Sequence, residues 1–126
     1  MRLFLALFWT ILISLLCFTP GQALPDLSIF SYDKLGHFAL FAGFVVLWGR
    51  AFQGMSSIHQ PIQRALLMAI GFSALIEIVQ HFLIPNRSGE WADFLADVIG
   101  CGIGLVYLWL SPGGKKKEDL DSQGQL

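Results

Sequence analysis

Four long apolar runs joined by short links restrict this chain more than any other feature. Residues 3–19 (LFLALFWTILISLLCFT) carry no charge. Residues 35–49 (LGHFALFAGFVVLWG) are apolar apart from His37, and helix can extend from Asp33 to Phe52. Residues 65–84 (ALLMAIGFSALIEIVQHFLI) contain Glu77, Gln80 and His81, and residues 94–110 (FLADVIGCGIGLVYLWL) contain Asp97. A helix crosses a bilayer with about 20 apolar residues, in a range of about 17–25. The third run meets that length directly. The first and fourth reach it at the low end or with flanking turns. No strand-like alternation and no internal repeat compete with this pattern. Backbone polar groups in hydrocarbon must be satisfied within their own segment, so such runs fold as helices. The expected fold is all-α: an integral membrane bundle of four antiparallel transmembrane helices.

Composition supports the same class. Charged residues make up 13% of the 126, against about 25% in a soluble domain. That leaves too little polar surface to coat a water-facing sphere. A disordered chain and a nucleic-acid binder with a basic face are excluded, and a soluble enzyme is disfavoured. The expected partner is the lipid bilayer. Charge is distributed unevenly about the runs. Arg2, Arg50, Arg64, Lys115, Lys116 and Lys117 fall on the side of the termini and of residues 50–64, whereas Lys34 and Arg87 fall on the other. Basic residues concentrate on the cytoplasmic side, which assigns both termini to the cytoplasm and turns residues 20–34 and 85–93 outward. The organisation expected is a first transmembrane helix in 1–23, a membrane domain in 24–110 and a disordered polar tail in 111–126. Residues 1–23 have a rival reading as a signal peptide cleaved after Ala23, because GQA precedes Leu24. A single Arg and a long apolar run favour a retained helix, and residue 24 is outside on either reading. Leu16 precedes Cys17 where a lipoprotein signal needs a small residue. Cys17 and Cys101, in separate runs, are expected as free thiols acting as small hydrophobes.

Ionisable residues inside membrane segments are costly and mark candidate sites. Asp33 and His37 share one helix face, as do Glu77, Gln80 and His81. Pro85 should end the third helix. Ser88 suits an N-cap of the fourth, and Glu90 and Asp93 suit its first turn. Asp93, Asp97, Gly100 and Gly104 form a single stripe. By helix rise, Glu77 and Asp97 lie roughly 10–12 Å below the outer end, with His37, Gln80 and Asp93 about 6 Å in. Lys34 and Arg87 join that shallower ring. Three helices thus bring polar groups to the outer third of the bundle, while the inner halves stay apolar. An outward-facing pocket explains this clustering better than interhelical hydrogen bonding alone. Glu77 is expected within reach of Asp93 or Asp97, and His37 near Gln80. The glycine stripe is expected to pack helices closely.

The stretches DKLGHFALF, EIVQHFLIPNR and DFLADVIGCGIG resemble the VanZ-like family of small bacterial membrane proteins over about residues 30–110. The family pattern runs Asp-Lys-x-x-His, Glu-x-x-Gln with a following Pro and Arg, then Asp and a Gly-rich stretch. It maps onto Asp33, Lys34, His37, Glu77, Gln80, Pro85, Arg87, Asp93, Gly100 and Gly104. Asp97 stands where the family usually has Asn. The resemblance implies a small multi-pass protein of the bacterial cytoplasmic (inner) membrane. The family's namesake is associated with glycopeptide (teicoplanin) resistance, which suggests a link to envelope or glycopeptide-antibiotic tolerance.

The residues support recognition or modification of a cell-envelope lipid or its phosphorylated head group. Glu77, His37 and Asp93 are the candidate acid and base groups. Lys34 and Arg87 are suited to an anion, and Gln80, Asp33 and Asp97 complete the binding set. The Arg-x5-His element of membrane lipid phosphatases is absent after Arg87. His37, Glu77, His81, Asp93 and Asp97 could ligate a metal, but they lack a diagnostic spacing, so no metal is expected. No cofactor is specified, and homo- and hetero-oligomers both stay open. The rival function is a non-enzymatic membrane binding or assembly protein whose charged cluster is an interhelical network.

Overall fold

The computed structural model describes residues 1–19, 30–55, 57, 60–84, 91–111 and 123–124, with side chains omitted for 30–33. It is all-α, with α1 Arg2–Phe18, α2 Phe30–Gln53, α3 Pro61–Leu83 and α4 Trp91–Leu110. Among the described residues, three helices are long and apolar enough to cross a membrane: Lys34–Gln53 within α2, then α3 and α4. The 17 residues of α1 are apolar but shorter.

Helix ends follow local chemistry. Pro61 occupies the first turn of α3, where its missing N–H costs nothing. Gln60 before it reverses the chain in a left-handed conformation, φ 53° and ψ 56°. The Arg64 N–H then donates to the Gln60 carbonyl at 3.1 Å. At the other end Ile84 is extended, φ −102° and ψ 116°, as the residue before Pro85 must be. These turns carry α3 past its apolar run on the N-terminal side, and α2 likewise begins at Phe30, ahead of Asp33.

Direction and register follow from the contacts. Trp9 Nε1 donates to the Leu40 carbonyl and Trp48 Nε1 to Thr10 Oγ1, each at 2.9 Å, tying α1 to α2. Phe44 stacks on Phe72 at 5.2 Å, joining α2 to α3. Across α2 and α4, Lys34 meets Asp93 and His37 meets Asp97, so these two helices run in the same direction. Consecutive helices alternate, and α2 packs against all three others, most extensively against α4.

That last contact depends on glycine. A Cβ on Gly100 would collide with the backbone carbonyl of Phe38, and one on Gly104 would stand 2.7 Å from the Ala42 carbonyl oxygen. The two backbones therefore approach closely along the stripe. Ile13, Cys17, Phe41, Phe44, Val45, Ala69, Ile76, Cys101 and Leu108 form the core, and both cysteines are free thiols. On the face of α2 that carries His37, a column of Phe41, Phe44, Trp48 and Phe52 runs on toward the helix C-terminus. Outward faces remain apolar, with Phe8, Ile11, Leu67, Ile78, Phe82, Leu95, Ile99 and Trp109 all exposed. An apolar surface this extensive fits hydrocarbon rather than water. Residues 20–29, 85–90 and 112–122, which include the proposed cleavage point, the Ser88 cap, Glu90 and most of the expected tail, lie outside the described residues.

Candidate functional site

The polar residues of α2, α3 and α4 converge where the three helices meet. Asp97 is fully buried and lies at the centre of the deeper layer. The Nδ1–H of His37 donates to its Oδ1 at 3.0 Å, and Ser73 Oγ donates to its Oδ2 at 2.5 Å. One carboxylate thus joins all three helices. Two directed donors replace the water that a buried acid forgoes.

The shallower layer is richer in charge. Lys34 Nζ lies 3.7 Å from Asp93 Oδ1, with the lysine partly exposed and the aspartate buried. Asp93 is in the first turn of α4, where a negative charge suits the helix dipole. A ring nitrogen of His37 and carboxylate oxygens of Glu77 and Asp93 all lie within 4.8 Å of one another. Glu77 therefore meets the Asp93 layer, whereas Asp97 pairs with Ser73, one turn deeper in α3. Helix rise alone put Glu77 and Asp97 level because it ignores tilt and stagger.

Gln80 is buried and turns toward α1. Its Nε2 donates to the Cys17 carbonyl at 2.8 Å. Cys17 is in the last turn of α1, where carbonyls lack intrahelical partners, so Gln80 caps that helix from outside. His81 is exposed and packs edge-on against the Phe82 ring at 4.8 Å. Asp33 lies in the first turn of α2 with its side chain outside the described set, and Arg87 lies outside the described residues.

Beside the cluster, a cleft of about 420 Å³ opens between α3 and α4. It is lined by Ala74, Glu77, Ile78, His81, Phe82, Trp91 and Phe94. Phe82 and Trp91 are among the most exposed side chains of the fold. The cleft is therefore open at these aromatic walls and carries one acid, Glu77, shared with the buried cluster.

The sequence reading did not single out Ser73 or the aromatic walls of the cleft. A signal for Ser73 was present: it lies four residues before Glu77 and seven before Gln80, on the same helix face. The aromatic walls had no such signal, because aromatic residues occur throughout the apolar runs. Chemically, the cluster offers two carboxylates and an imidazole for proton transfer, and an ammonium for an anion.

No curated protein and no solved structure matches this chain. The family model described as VanZ/LLP1 does match, over residues 2–111, and so takes in α1 as well as the three longer helices. With the four apolar helices and the polar cluster in place, that match makes the chain a member of the VanZ/LLP1 family of membrane proteins.

Proposed function

We propose that this protein is a multi-pass component of a bacterial cytoplasmic membrane, with both termini inside and an outward-facing pocket for a cell-envelope lipid bearing a phosphorylated head group. The observation that carries this reading is the cleft between α3 and α4. Its walls are mostly apolar, with Phe82 and Trp91 exposed, and its polar groups are Glu77 and His81. Its volume falls within the range of about 300–1,000 Å³ usual for ligand sites. An acyl or isoprenoid chain would lie along Ile78, Phe82, Trp91 and Phe94. The head group would meet Lys34, with Arg87 completing the anion contacts. Asp33, Gln80 and Asp97 would shape the pocket. His37, Glu77 and Asp93 would move protons if the lipid is modified. Such a role would link the protein to envelope or glycopeptide-antibiotic tolerance.

Native mass spectrometry from lipid nanodiscs tests the proposal. A lipid carrying phosphate should remain bound. Its occupancy should fall by about tenfold, or 1.4 kcal/mol, on Lys34→Gln or Trp91→Ala. Failure of any lipid to persist, or occupancy indifferent to both substitutions, would remove the reading.

The alternative, a structural network in an assembly protein, has its own support in Asp97, which ties three helices together. Glu77→Gln separates the two. Under the pocket reading it leaves expression and melting temperature intact and impairs lipid binding. Under the network reading it lowers expression itself.

A further inference from the structure

The shallow layer brings together three donors from three helices: a ring nitrogen of His37, a carboxylate oxygen of Glu77 and one of Asp93. We infer that these side chains bind one divalent transition-metal ion, with Zn²⁺ the best match to the donor set. Imidazole and carboxylates together suit zinc, and three protein ligands with an open position is the arrangement of reactive zinc sites. Calcium and magnesium prefer oxygen alone, so the histidine argues against them.

The surroundings of His37 point the same way. A metal-binding histidine commonly donates its second ring N–H to a carboxylate, which fixes the tautomer and raises ligand basicity. Asp97 provides that carboxylate at Nδ1, 3.0 Å away, and Ser73 braces Asp97 from the other side. With Nδ1 held as a donor, the lone pair is on Nε2, the nitrogen suited to an ion. A divalent ion is also compatible in sign with the two carboxylates of the trio. Two donors on one ion at about 2.1 Å each can be at most roughly 4.2 Å apart. The 4.8 Å envelope therefore closes by small side-chain adjustments. Lys34, partly exposed and 3.7 Å from Asp93, can swing toward solvent as the ion enters.

The full chain, free of any affinity tag, would be stripped with EDTA in mild detergent and titrated with Mn²⁺, counting free ions by their paramagnetic signal. Zn²⁺, which such sites hold more tightly, would then be added. The expected result is one Mn²⁺ per chain, released by an equal amount of Zn²⁺, and a higher melting temperature with Zn²⁺. Asp97→Asn should weaken binding by about 10–100-fold through its effect on His37 alone. Glu77→Gln and Asp93→Asn should abolish it. His81→Ala, in the cleft but outside the trio, should leave it unchanged. If Glu77→Gln does not fold, the wild-type stoichiometry and Asp97→Asn still decide. Absence of zinc-displaceable Mn²⁺ in the wild type, or affinity unchanged by Asp97→Asn, overturns the inference. No lipid enters these measurements, so their failure would not touch the pocket reading.

Discussion

Asp97 accepts hydrogen bonds from two other helices, so its substitutions can separate geometry from charge. In Asp97→Asn the amide oxygen still accepts from His37, and the amide N–H meets Ser73 once that hydroxyl rotates to accept. Melting in detergent, followed by tryptophan fluorescence, should shift little, by under about 1 kcal/mol. Asp97→Leu instead strands two buried donors at about 1–3 kcal/mol each, and should cut the yield of folded protein sharply. Gln80→Leu removes the outside cap of α1. Interhelical hydrogen bonds in membranes average only about 0.6 kcal/mol, so the expected loss is small and confined to the docking of α1. Proteolysis near the α1 terminus would detect it, while melting of the α2–α4 core should be unaffected.

The glycine stripe matters most to the helices as elements. Ala at Gly100 or Gly104 gains up to about 1 kcal/mol of helix propensity, but it drives a methyl group into a backbone carbonyl of α2. Overpacking typically costs about 1–3 kcal/mol, and a backbone neighbour cannot rotate aside. Both variants should melt lower. Gly71→Ala is the control: nothing lies within 4 Å of its Cβ, so it should be neutral or stabilising. This contact was legible in the sequence because small residues recurring at four cannot bury a helix face except by close approach. The four helices were equally legible from their apolar runs. The first turns of α2 and α3 were not, since polar residues continue a helix without any periodic signal. Within the site, the common depth of His37 and Asp93 was readable from spacing, and so was the reach of Glu77 to an aspartate of α4, but Glu77 was placed level with Asp97 and in fact joins the shallower pair. The pairing of Asp97 with Ser73 was not readable, because it depends on helix rotation and tilt, which counting along one helix does not reveal. Gln80, expected beside His37, directs its Nε2 to α1 for the same reason.

For the molecule as a whole, sidedness is the main expectation to test. Ser28 and Ser88, each replaced by cysteine in a Cys17→Ala, Cys101→Ala background, should react with an impermeant thiol reagent in intact cells. Protection of both would reverse the assignment of the polar cluster to the outer face. The close backbone contact between α2 and α4 also has a mechanical consequence. Joined along Gly100 and Gly104, those helices behave as one stiff frame carrying His37, Lys34, Asp93 and Asp97. Glu77 and Ser73 ride on α3, whose contact with α4 is less extensive and is interrupted by the cleft. Displacement of α3 against the frame would change the distance from Glu77 to its neighbours while leaving His37–Asp97 intact. Spin labels on the exposed residues Leu75 and Ile103 would register such displacement as a broad distance distribution, narrowing when anything grips Glu77 and Asp93 together.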